Sequence, residues 1–128
     1  MGDAETFGVE KGYGERVVEW INSESKKRKE KLEARLYDYD ITTKNFGTFE
    51  MFSWMGDVKS ARNMIVRASK KFKIRVIEGG YKTKDKTYST KKTDYAMVRK
   101  GDRVIGHLQF TAPRFGSGNW ELVAEERK

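Results

Sequence analysis

The chain has 128 residues, with 27 Lys and Arg against 19 Asp and Glu, one histidine and no cysteine. That length suits one domain around one core, and the missing cysteine excludes disulfide frameworks, thiolate zinc sites and Cys nucleophiles. No apolar run approaches the ~18 residues of a membrane span, and the acidic start from Met1 to Thr6 lacks a secretory apolar stretch, so a cytoplasmic protein with no membrane contact is expected.

Residues 1–12 are acidic and without periodicity, and they read as a flexible tail ahead of a single domain over 13–128. From Gly14 the pattern becomes helical. Val17, Val18, Trp20 and Ile21 share a face, and Leu32 and Leu36 return to it. The ten residues Asn22–Lys31 between them hold nothing apolar. They predict a helix that continues, with a break near Ser23 as the alternative. Tyr37, Tyr39, Ile41 and Thr43 then alternate as a half-buried strand, Gly47 turns the chain, and Phe49, Met51, Phe52 and Trp54 fall on the two sides of the next strand.

Residues 57–72 give the clearest pattern. Asp57 is a natural N-cap, and Val58, Ala61, Ile65, Ala68 and Phe72 recur at three-and-four spacing. Lys70 and Lys71 stand at the negative end of the helix dipole. Strands follow over Ile74–Ile77, Tyr95–Arg99, Val104–Phe110 and Trp120–Val123, with turns at Gly79-Gly80, Gly101-Asp102 and Gly116–Asn119. Short links suit antiparallel neighbours. The expected fold is therefore α+β, two helices packed on an antiparallel sheet of four to six strands, with a long basic β-arm at 81–93.

The charge is uneven along the chain. Residues 1–57 hold 9 basic and 12 acidic side chains, residues 58–103 hold 15 and 4, and residues 104–128 hold 3 and 3. Such asymmetry points to a local electrostatic surface. On helix 57–72, Lys59, Arg62, Arg67, Lys70 and Lys71 lie opposite the apolar stripe, and no carboxylate of the helix joins them. Like charges one turn apart cost about 0.2–0.5 kcal/mol each, so the helix accepts repulsion without local relief. The arm adds Tyr81, Lys82, Lys84, Lys86, Tyr88, Lys91 and Lys92. Mobile lysines neutralise phosphates and release counterions, hydroxyls of Ser and Thr position the backbone, and the tyrosines can stack on bases. If helix and arm form one continuous surface, it is that of a nucleic-acid-binding protein, as in winged-helix and β-arm architectures.

No helix-turn-helix turn, RNA-recognition signature, KH loop or zinc spacing is present, and no known family motif is visible. The plain reading of each basic stretch is a solvated face. The run Lys26–Lys29 with Lys31 and Arg35 is interspersed with Glu24, Glu30 and Glu33 and fits that plain reading best. Asp38, Asp40 and Glu50 fall on strands, where a metal-dependent nuclease would carry its carboxylates, but Phe52 stands where such a site places a lysine. His107 has no partner motif, and Gly116-Ser117-Gly118 lacks the lysine and helix of a P-loop.

The sequence thus predicts a non-enzymatic, regulatory or architectural nucleic-acid-binding protein with no cofactor and no metal, nucleoid-associated if its ligand is DNA. The competing expectation is an adaptor or inhibitor, such as phages encode, that turns the same basic surface to an acidic protein partner.

Overall fold

The computed structural model of the chain describes residues 7–30, 32–56, 58–82, 91–113 and 121–127. In chain order these form β1 (Phe7–Glu10), α1 (Gly14–Lys27), β2 (Leu32–Thr43), β3 (Gly47–Gly56), α2 (Val58–Phe72), β4 (Arg75–Lys82), β5 (Lys91–Lys100), β6 (Arg103–Pro113) and β7 (Glu121–Arg127). All strands join one antiparallel sheet in the order β2-β3-β1-β4-β5-β6-β7. The expected α+β architecture is present with seven strands rather than four to six. Its first six elements interleave two split β-α-β crossovers, the connectivity of the ferredoxin-like motif. Strands β4 to β7 continue it as a meander.

The additional strand is β1, and it corrects the expectation of a tail over residues 1–12. Phe7 and Val9 are fully buried, and β1 lies inside the sheet between β3 and β4. Four residues give too little alternation to announce a strand. They hold because both edges are paired and one face packs on the helices. Gly8 is required there: a Cβ would meet Met51 Sδ at 2.5 Å and the Glu50 carbonyl oxygen at 3.1 Å.

The first helix also ends sooner than the sequence suggests. Helix α1 stops at Lys27, and Leu32 to Leu36 open β2 instead of extending the helix. Leucines four apart satisfy a helix face, but they equally satisfy alternate positions of a strand, with Ala34 between them. What decides is a Schellman stop. Lys29 adopts the left-handed region (φ 56°), its N–H donates to the Lys26 carbonyl, and the Glu30 N–H donates to the Ser25 carbonyl. Helix α2 ends the same way, with Lys73 at φ 57° and the Ile74 N–H donating to the Ser69 carbonyl. Neither stop uses glycine, so neither is punctuated in the sequence. At the other end of α2, Asp57 lies outside the described residues.

Two cores sit on opposite faces of the sheet. On the helix face, Phe7, Val9, Val17, Ile21, Phe52, Trp54, Ala61, Met64, Ile65 and Val76 pack together. On the other, Ile41, Phe46, Phe49, Met51, Ile77, Ala96, Val98 and Leu108 form a second cluster. The split of Phe49 and Met51 from Phe52 and Trp54 follows from strand alternation. A face without helices can be buried because a long twisted sheet coils on itself, and here β7 returns to within 8 Å of β2, Cα to Cα. Among the described residues, no helix is long and apolar enough to cross a membrane.

Candidate nucleic-acid interface

The two basic features of the sequence meet at one end of the sheet and part at the other. Strands β4 and β5 pair directly, with Tyr81 opposite Tyr95 and Lys82 opposite Asp94. The lysine-rich arm therefore connects adjacent antiparallel strands. Tyr81 and Lys82 end β4, Lys91 and Lys92 begin β5, and Lys84, Lys86 and Tyr88 lie outside the described residues. The first turns of α2 reach this end, because Arg62 Nη2 donates to the Gly79 carbonyl at 3.3 Å. Lys59 is exposed one turn before Arg62. The last turn of α2 sits at the far end of β4, where the Gly101 N–H donates to Ser69 Oγ at 2.7 Å. Arg75 and Lys82 are seven residues apart along β4, about 23 Å at the usual strand rise. Lys59 and Arg62 thus accompany the arm, whereas Lys70 and Lys71 do not.

Most cations of α2 have a carboxylate supplied by another element. Arg67 Nη2 lies 3.3 Å from Glu24 Oε1 on α1, Lys70 Nζ lies 2.8 Å from Asp102 Oδ2 in the β5–β6 turn, and Arg62 Nε lies 3.4 Å from Glu78 Oε2 on β4. Glu78 also accepts from Arg99 Nε at 2.6 Å. Its side chain is only 7% exposed, which makes Arg62–Glu78–Arg99 a buried triad between α2 and the sheet. The like-charge repulsion of the helix is relieved in the tertiary structure. The Glu24 carboxyl is pushed up by desolvation but held below its ordinary range overall by the Arg67 hydrogen bond and by Lys27.

A second feature was legible only as separate halves. Helices α1 and α2 run antiparallel along a seam, Tyr13 meeting Phe72 at 6.5 Å between ring centroids and Trp20 meeting Phe72 at 6.0 Å. Cations cover these rings. Arg16 lies 4.5 Å from the Tyr13 centroid, Arg67 5.4 Å and Lys71 5.9 Å from that of Trp20. Each such contact contributes about 0.5–1 kcal/mol at an exposed site. Trp20, read from the sequence as one of the helix's core-facing residues, is half-buried at the rim.

A third cluster was missed. Register sets Arg75 opposite Lys100 and Lys100 opposite Arg103, a row of cations across β4, β5 and β6. Like charges directly opposite destabilise a sheet. Arg75 is held by Glu10, whose Oε1 accepts from both the Arg75 backbone N–H (2.8 Å) and its Nε (3.1 Å). Lys100 and Arg103 are exposed. The signal was in the sequence, since a two-residue turn at Gly101-Asp102 forces Lys100 and Arg103 into opposition.

The strand carboxylates have structural partners. Asp40 and Glu50 are cross-strand neighbours on β2 and β3. Lys11 Nζ contacts Asp40 Oδ2 at 2.5 Å and Glu50 Oε2 at 3.9 Å, and Glu50 Oε1 accepts the Gly14 N–H at 2.6 Å. Glu50 thus sits at the positive end of α1. The Asp40 hydrogen bond and charge raise the Lys11 ammonium above its ordinary pKa, with Glu50 adding to the effect. Asp38 is exposed where β2 bulges between Leu36 and Asp40. No group of three or more His, Asp or Glu among the described residues could hold a metal ion. His107 stands mid-strand in β6, opposite Met97 and Glu126.

No protein-family model matches the chain, and neither does any curated protein or solved structure.

Proposed function

We propose that the protein is a non-enzymatic nucleic-acid-binding protein whose phosphate contacts come from the β4–β5 end. The pairing of β4 with β5 carries this reading, because it makes the lysine-rich segment the connection of a β-hairpin. A hairpin presents Lys82, Lys84, Lys86, Lys91 and Lys92 together on a narrow element of the kind that enters a groove or follows a backbone. Lys59 and Arg62 at the start of α2 flank it. Arg67, Lys70 and Lys71 join the same ligand only if it extends along the helix toward the Trp20 seam.

The test is a titration of labelled duplex DNA, single-stranded DNA and RNA at two salt concentrations. Replacing the five hairpin lysines by Gln should flatten the dependence of log K on log salt by roughly 4, near one per phosphate released. Binding with an unchanged slope would refute the assignment of these residues. Absence of polynucleotide binding near physiological salt would refute the function itself.

A second reading has one observation in its favour. Arg62, Arg67 and Lys70 already hold carboxylates, the chemistry an acidic protein partner would offer. Capture of a specific acidic protein that survives nuclease treatment would favour it.

A further inference from the structure

Strand β2 is an edge of the sheet, and its first half has one feature that the nucleic-acid reading does not use. The Ala34 N–H donates to Asn22 Oδ1 at 2.8 Å, and Asn22 Nδ2 donates to the Ala34 carbonyl at 3.0 Å. A side-chain amide from α1 thus occupies both outward groups of an edge residue, imitating a neighbouring strand. In an antiparallel pair, successive residues alternate between bonding the partner and pointing away from it. Since Ala34 points outward, so do Leu32 and Leu36, while Glu33 and Arg35 bond β3. In agreement, Ser53 Oγ donates to the Arg35 carbonyl.

That alternation makes residues 32–36 complementary to themselves. With two copies of β2 laid antiparallel about Ala34, Leu32 faces Leu36 of the other chain, Ala34 faces Ala34, and Leu36 faces Leu32. These are the residues with free outward groups, so the strands meet in three hydrogen-bonded pairs. Between them Glu33 faces Arg35 and Arg35 faces Glu33, in the close non-hydrogen-bonded positions where opposite charges stabilise a sheet. The two side chains already reach each other within one chain, at 3.1 Å, and both are well exposed. A frame shift by one residue would lose both the charge match and the backbone match. The exposed large hydrophobic residues among those described, Leu36, Tyr37 and Met55 at 38, 46 and 62%, lie on β2 and its neighbour β3. A shallow cleft lined by Leu32, Glu33, Met55 and Gly56 borders the same strand.

We propose that residues 32–36 of β2 are a docking edge for a second copy of this chain, with Asn22 as the group that must swing aside. The partner is an identical strand because the charge order Glu33, Ala34, Arg35 is its own complement under a two-fold axis. Asn22 competes for the same backbone groups and sets the concentration at which the dimer forms. Natural sheets blunt open edges with such devices.

Sedimentation equilibrium of the full chain tests this, with thermal melts to verify folding. Asn22→Ala removes the competitor and should tighten self-association roughly tenfold or more, the equivalent of one net hydrogen bond per chain. Glu33→Arg in that background should abolish the dimer by placing arginines opposite one another. Adding Arg35→Glu should restore it. Both exchanged side chains are exposed, so folding should be unaffected. A monomeric Asn22→Ala protein over the whole accessible range would overturn the proposal, as would a dimer indifferent to Glu33→Arg or not restored by the double exchange.

Discussion

The arginines and the lysines of the basic half behave differently. Arg62, Arg67, Arg75 and Arg99 each sit in an ion pair with a carboxylate from a distant element. Lys59, Lys73 and Lys100 are exposed, and none of them is in an ion pair. Lys71 contacts only the Trp20 and Phe72 rings, and Lys70 reaches Asp102 at a well-exposed site. The planar guanidinium fork binds carboxylates and rings with little further entropy loss, whereas the ammonium keeps its water. The difference teaches that the surplus of positive charge has two uses. Arginine ties α2 and β4 to the rest of the fold, and lysine supplies solvated charge for a partner.

Four experiments would break or sharpen that division. Glu78→Ala should have the largest effect, about 3 kcal/mol or more in urea unfolding, because two arginines lose their shared, nearly buried carboxylate. An effect below 1 kcal/mol would place these arginines with the solvated lysines. Ser69→Ala comes next, at about 1–3 kcal/mol, since the buried hydroxyl accepts from the Gly101 N–H and donates to the Ile74 carbonyl at 2.5 Å. Lys73→Gly should stabilise by about 0.5–1 kcal/mol by relieving the left-handed backbone. That gain would show that this lysine has no structural role beyond its charge.

The smallest effect is in the pH dependence. Glu24 has a folded pKa below its unfolded one, so its contribution is present above the unfolded carboxylate range and is lost as pH falls through the folded value. Glu24→Gln should shrink that acid-side slope. Lys11 has a raised folded pKa, so its contribution is complete below the unfolded value and disappears as pH rises through the folded one. Lys11→Gln should flatten the alkaline limb alone. Both can be followed as melting temperature against pH.

Much of the fold was legible. Helix α2 was read from the three-and-four spacing of Ala61, Ile65 and Ala68, all of which are buried. Six of the seven strands were placed, including the opposed faces of β3. Two errors shared a cause, the weakness of local signals over short stretches. β1 is four residues long, and α1 stops at a left-handed lysine that no glycine announces. The candidate site was less legible. The cations of α2 were identified, but their separation to two ends of β4 was not, because it depends on which end of a neighbouring strand each helical turn meets.

By itself, the sequence determined which segments form helices and strands, that one half of the chain is basic, and that no cysteine chemistry is available. These follow from periodicity, composition and sign of charge, all local quantities. Only the tertiary structure decided which cations are neutralised. Glu24 meets Arg67 across 43 positions, Glu10 meets Arg75 across 65, and Glu78 meets Arg99 across 21. Side-chain charge acts over a few ångströms in space regardless of distance along the chain, so folding assigns the partners.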